Sequence, residues 1–173
     1  MDGSAYIIEK GQPGQQGALQ AIEHAAAALF PEADLPASLR YRVTDHADLD
    51  VAIRNGRLWS ALDRDGSPVG FALATVVDDQ AHLDEINVHP DHGQRGIGAR
   101  LVQAVIDWAR ESGFESVSLV TFRHLPWNGP FYARFGFADI ARQSLGPELK
   151  YLLDKDVEVG LDPGNRVAMR LML

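Results

Sequence analysis

The stretch from Ala81 to Ala99 constrains this chain most, because an apolar strand runs straight into a glycine-bearing helix start. Ala81 to Val88 reads as a strand and His89-Pro90 as its exit. Gly93-Gln94-Arg95-Gly96-Ile97-Gly98-Ala99 then reads as a tight turn opening a helix. The first N–H groups of a helix have no partner inside it, so they can face an anion. Glycine there lets phosphate oxygens approach the main chain without meeting a Cβ. No Asp or Glu lies between His92 and Ile106, whereas Arg95 and Arg100 do, in a chain of formal net charge -8. The pattern fits a phosphate cradle at residues 93–99, with plain loop chemistry as the competing reading. Two familiar phosphate loops are excluded. The P-loop closes on Gly-Lys-Ser/Thr, and here Gly98 is followed by Ala99-Arg100. The dinucleotide fingerprint needs a glycine three residues after its second one, and Leu101 holds that place.

Around this centre the chain reads as alternating elements. Ala5 to Glu9 is a first strand, and Ala18 to Phe30 a helix stopped by Pro31. An acidic loop with Glu32 and Asp34 follows, then a short helix from His46 to Arg54. Leu58 to Leu62 and Val69 to Val77 flank Asp63-Arg64-Asp65-Gly66-Ser67-Pro68, a strong hairpin signal. Three consecutive antiparallel strands therefore precede the glycine loop, which is not the alternating order of a dinucleotide fold. The helix after the loop carries Ile97, Leu101, Ala104, Val105 and Trp108 on one face and Arg100, Gln103, Asp107 and Arg110 on the other. Gly113 is placed as its C-cap. Val117 to Thr121 alternates as a strand. Beyond Phe137 the expectation is a strand near Asp139 to Gln143, a helical segment from Gly146 to Val157, and a last strand from Val167 to Leu171.

Composition narrows the function classes. Charged residues make up 23% and hydrophobic ones 46%, ordinary globular usage, and 173 residues suit one domain spanning 1–173. The acidic balance argues against nucleic acid, whose phosphates demand clustered Lys and Arg, and suits a cationic substrate such as an amine. Cysteine is absent, so disulfides, thiolate metal sites and a cysteine nucleophile are excluded. Met1-Asp2-Gly3-Ser4 lacks the basic and apolar regions of a leader, and no apolar run is long enough to span a bilayer. The expectation is a cytoplasmic protein with no membrane partner. His89 and His92 lack a third ligand at persuasive spacing, so no metal is expected.

Gly96-Ile97-Gly98 behind Val88-His89-Pro90, followed by Asn128, Tyr132 and Gly136-Phe137, resembles the GNAT superfamily of acyl-CoA-dependent N-acetyltransferases. The likeness covers Ala81 to Phe137 firmly and the flanks more loosely. The family's loop pattern, Gln/Arg-x-x-Gly-x-Gly/Ala, aligns with Gly93 to Gly98, with Gly93 replacing the usual Gln or Arg. The resemblance implies an α/β (α+β) fold, with a mixed, mostly antiparallel sheet of about seven strands and about four helices. It further implies acetyl-CoA as co-substrate and a small-molecule or peptide amine as acceptor. The pantetheine arm would pair with the main chain of Ile86, Asn87 and Val88, where this strand splays from its neighbour in the family. Asn128 resembles an asparagine that bonds the same arm.

Acetyl transfer to an amine sets chemical demands that these residues can meet. Tyr132, four residues before Gly136, matches the family's tyrosine ahead of Gly-Phe. A phenol with an ordinary pKa of about 10 is protonated near neutrality and can donate to a leaving thiolate. The incoming ammonium needs a base. On an unbroken strand His82 and Asp84 share one face and Glu85 takes the other; only a bulge would favour Glu85. Counted back from Gly96, His82 and Asp84 stand where the resembling enzymes carry their base, so the resemblance places both just ahead of Glu85. No Gly-x-Ser-x-Gly elbow exists for hydrolase chemistry. Direct attack by the amine in a ternary complex is the simplest mechanism. A non-catalytic acyl-CoA sensor of the same architecture is the alternative, and a homodimer burying the last strand or a helix face is a further expectation.

Overall fold

The computed structural model describes residues 5–173; Met1 to Ser4, on which the leader reading rests, lie outside them. Among the described residues seven strands form one sheet: β1 (Ile7–Lys10), β2 (Leu58–Leu62), β3 (Pro68–Val77), β4 (Gln80–Val88), β5 (Ser116–Phe122), β6 (Ala138–Asp139) and β7 (Arg166–Met172). Their spatial order is β1-β2-β3-β4-β5-β7-β6. Every adjacent pair is antiparallel except β4 and β5, which run parallel. A parallel pair needs a long crossover, and the helix following the glycine loop supplies it.

Six helices flank the sheet among the described residues: α1 (Gln16–Ala27), α2 (Ala37–Arg40), α3 (His46–Arg54), α4 (Ile97–Glu111), α5 (Gly129–Ala133) and α6 (Pro147–Glu158). The sequence expectation was about four. The two extra helices, α2 and α5, are four and five residues long, too short for a 3.6-residue period to register. The strand expected near Asp139 to Gln143 is a two-residue pairing at Ala138–Asp139, after which Arg142–Ser144 turns as a 3-10 helix. α1 stops at Ala27, short of Phe30. The boundaries of α3 and β2 coincide with the sequence reading.

The helices divide between the two faces by side-chain alternation. α4 buries Ile97, Leu101, Val102, Val105, Ile106 and Ala109 against Ala72, Ala74, Ala81, Leu83, Val117 and Leu119. Each large side chain so buried contributes about 1.5–3 kcal/mol. α5 shares this face through Tyr132. On the opposite face α1 and α3 pack Leu19, Ile22, Leu49, Ala52 and Ile53 on Leu58, Phe71 and Leu73. Further along that face α6 lays Leu149 against Val77 and Ala168. α4 ends as its sequence dictates. Gly113 takes φ 80°, its N–H bonds Arg110 O, and Phe114 N–H reaches Ala109 O, a Schellman closure. Among the described residues no helix is long and apolar enough to cross a membrane.

Candidate active site

The site is built on an irregularity of β4. Opposite β3 the register runs Glu85 to Leu73 and then Leu83 to Ala74, leaving Asp84 as an extra, unpaired residue. That is a β-bulge, which bends the strand and turns over the side-chain alternation beyond it. Ala81, Leu83, Ile86 and Val88 all join the α4-side core as a result. His82 and Glu85 consequently share the α1/α3 face, correcting the expectation that Glu85 would take the face opposite His82. The signal was present in the sequence: apolar residues at 81, 83, 86 and 88 step by two, then three, then two.

The bulge lies where β4 parts from β5. Only Ala81 with Val117 and His82 with Ser118 are register partners. Beyond them β4 continues to Val88 and β5 to Phe122. The edge of β4 from Leu83 to Val88 that faces β5 is thus not laddered to it, and its main-chain groups border a gap. Ile86, Asn87 and Val88 lie on this stretch, all half-buried.

At the mouth of the gap α4 begins. Gln94 and Gly96 both adopt left-handed backbone, φ 58° and 78°, the second as the N-cap of α4. The first bond of the helix is Arg100 N–H to Gly96 O, so the N–H groups of Ile97, Gly98 and Ala99 are not used inside it. Its first turn holds no acidic residue. Gly93, Gln94 and Arg95 are exposed, Ile97 is buried, and Gly98 and Ala99 are half-buried. Both arginines reach back to β1's approach: Arg95 donates to the Tyr6 hydroxyl at 3.2 Å, and Arg100 to Tyr6 O at 2.9 Å. His92 Nδ1 shares a 2.9 Å hydrogen bond with that hydroxyl, and His89 Nδ1 accepts from Asp91 N. Among the described residues no three His, Cys, Asp or Glu side chains converge as metal ligands would.

Acid–base candidates line the two sides of the gap. Glu85 has its pKa pushed up to about 8, first by burial, then by the charges of Glu23 and Asp84. Asn87 donates to its carboxylate at 3.1 Å. Asp84 reaches solvent at its edge, yet surrounding protein raises the pKa of its carboxyl, with the charge of Asp48 adding to the push. Glu23 on α1 is also raised by burial, although Thr44 donates to it through N–H and hydroxyl at 2.9 and 3.2 Å. His82 is 2% exposed, and burial lowers its pKa to about 4.

Tyr132 sits on the α4 side, 5% exposed, with edge-on contacts to Phe131 and Phe137. Burial raises its pKa above the usual phenol value, Glu85 raises it further, and Arg166 works the other way. The carboxyl of Glu85 thus lies within electrostatic reach of the phenol. Among the described residues the hydroxyl finds no hydrogen-bond partner, and it is not sealed from solvent. α5 can start here only because Gly129 presses against the main chain. A Cβ at Gly129 would lie 2.6 Å from Arg123 O. Asn128 is half-buried at its N-cap, its Nδ2 donating to Trp127 O at 3.0 Å. Sequence reasoning missed Glu23, Arg166 and Ser118, because each joins the site by long-range packing that leaves no local pattern.

The segment between α1 and α3 walls the α1/α3 side. Arg40 donates to Ala27 O, Phe30 O and Leu35 O at 2.8–3.0 Å. Asp34 is bound by His124 Nε2 at 2.9 Å and by Asn165 at 3.3 Å, fastening the segment to the loop after β5. Glu32 is exposed.

Comparison with known proteins decides the family. The family model described as "Acetyltransferase (GNAT) family" matches residues 19–137, which spans both the glycine loop and Tyr132. The chain belongs to the acetyltransferase (GNAT) family. A curated relative, "Probable N-acetyltransferase camello" of Xenopus tropicalis, is 40% identical over 86 residues. That match takes in 48% of this chain and 39% of the relative's own length. Solved structures share the fold. The PaiA N-acetyltransferase of Thermoplasma acidophilum in complex with coenzyme A superposes with a TM-score of 0.70 at 16% identity, covering 97% of this chain and 99% of that one. N-acetylglutamate synthase of Neisseria gonorrhoeae, complexed with coenzyme A and N-acetyl-glutamate, gives 0.72 at 18% identity over 97% of this chain and 35% of its own. Among the described residues this member of the family has one mixed seven-stranded sheet.

Proposed function

We propose that this GNAT enzyme transfers an acetyl group from acetyl-CoA to a primary amine by direct attack in a ternary complex. The observation that carries the reading is the gap between β4 and β5, with a bare helix start at its mouth and Glu85 and Tyr132 on its two sides. The unused N–H groups of Ile97, Gly98 and Ala99, beside the left-handed turns at Gln94 and Gly96, suit a pyrophosphate, flanked by Gly93 and Arg95. Main-chain groups of Ile86, Asn87 and Val88 suit the pantetheine arm, and the Oδ1 of Asn128 can accept from it. Acetyl-CoA, when bound, supplies the activated acyl group and a thiolate leaving group.

Of the three base candidates, Glu85 is best matched. A pKa near 8 lets it take a proton from an ammonium ion, directly or through water, close to working pH. His82, with a pKa near 4, is too weak a base for that task. Asp84 and Glu23 add negative charge that draws in a cation. Tyr132 donates a hydrogen bond to the departing sulfur. Because its pKa is raised while a free thiol titrates near 8.5, the phenol keeps its proton and stabilises the thiolate without surrendering it.

Calorimetry with coenzyme A and acetyl-CoA, followed by thiol-release assays over a panel of amines, tests the reading. Binding of both and amine-dependent release are expected. Absence of association with either would overturn it, and binding without turnover on any amine would favour an acyl-CoA sensor.

A further inference from the structure

Beneath the gap, inside the sheet, lies a polar pair that the proposed chemistry does not use. His82 is 2% exposed and Ser118 3%. His82 Nδ1 and Ser118 Oγ share a hydrogen bond of 2.8 Å. They are also register partners, the last before β4 and β5 part. A parallel joint two positions long has few main-chain bonds, so the side-chain bonds that cross it are a large share of what holds it: Gln80 Oε1 accepts from Glu115 N–H and Ser116 N–H at 3.0 and 3.1 Å at its start, and the His82–Ser118 bond closes it where the strands part. If either partner is removed, the other is left buried and unsatisfied. β5 is meanwhile held rigidly from its other edge, paired with β7 from Ser116 to Phe122. Loosening at the joint therefore changes the alignment of β5 with β4, the strand that carries Glu85.

We propose that His82 and Ser118 form a clasp that fixes the point at which β4 and β5 separate, and with it the depth at which the acyl thioester lies against Tyr132. The inference rests on the acetyl-transfer reading. Both are positioning residues, since neither touches reacting atoms. The clasp holds one protonation state through the working range, because burial keeps the imidazole neutral.

Ser118→Ala, Ser118→Thr and His82→Gln, assayed with acetyl-CoA and propionyl-CoA alongside melting temperature, test it. Ser118→Ala is expected to lower kcat about tenfold with the KM for acetyl-CoA within about twofold, because the grip at the helix start is untouched while reacting groups drift out of line. Its preference for acetyl over propionyl should narrow severalfold, and Ser118→Thr should restore both. His82→Gln should repeat the Ser118→Ala pattern and stands in if that variant does not fold. Variants that melt earlier yet keep kcat and acyl preference would overturn the clasp. A wild type that binds no coenzyme A would instead remove the acetyl-transfer reading itself, a separate and recognisable failure.

Discussion

Toward β3, β4 is laddered at eight register positions between Gln80 and Val88; toward β5 it is laddered at two. The two edges of one strand thus do opposite work. The β3 edge gives β4 a fixed place in the sheet, with Gly70 allowing close approach to Asn87 O. The β5 edge is left open for most of its length, and the bulged Asp84 sits at the transition. A sheet can open a slot in its middle without losing cohesion only if the strands beside the slot are secured from their outer sides. β3 secures β4, and β7 secures β5 along all seven of its residues.

The contrast is most exposed to attack at the chemistry it serves. Tyr132→Phe should cut kcat by roughly 10²–10³-fold while coenzyme A affinity measured by calorimetry stays within about twofold, since the ring packing survives and only the donor is lost. Equal loss of both would mean that the hydroxyl organises the slot instead of serving the leaving group.

Glu85→Gln should cost roughly 10²-fold in kcat/KM and remove the ascending limb near pH 8 from its pH profile. The same change has a stability signature with a definite sign. Unfolded Glu85 ionises near 4.3, whereas the folded chain holds that proton to about 8, so the native state binds more protons between those values and loses stability as pH rises. Denaturation at pH 5 and pH 8.5 should show Glu85→Gln gaining on wild type by at least about 1 kcal/mol at the higher pH. A gap that does not widen with pH would mean that Glu85 ionises normally in the fold.

Deletion of Asp84 sharpens the comparison at its origin. It removes the bulge while leaving every other β4 side chain on its present face, so the β3 edge becomes regular and β4 loses its bend. Coenzyme A affinity should fall on the order of tenfold with folding retained, whereas Asp84→Asn, which removes only charge, should keep it. Equal effects from the two would assign the role to the carboxylate.

Legibility followed the range of the interactions. α3, β2, the Asp63–Pro68 hairpin and the amphipathic α4 were readable because each is set by nearby periodicity and turn chemistry. The Gly96 start of α4 was readable because its left-handed backbone demands such a residue. The slot was legible only through the family resemblance, and the bulge stood as an alternative, although the three-residue step from Leu83 to Ile86 recorded it. The Glu23–Glu85 coupling, the Ser118 bond 36 residues from His82, and Arg166 beside Phe122 depend on chain crossings that no local window contains.

The segment between α1 and α3 is pinned by Arg40 to three carbonyls and by Asp34 to His124 and Asn165, so its frame is settled from beneath. Its outward residues, Glu32, Ala33, Ala37, Ser38, Tyr41 and Arg42, hang on that frame like keys on a fixed board. Exchanging them one at a time leaves those anchoring bonds in place.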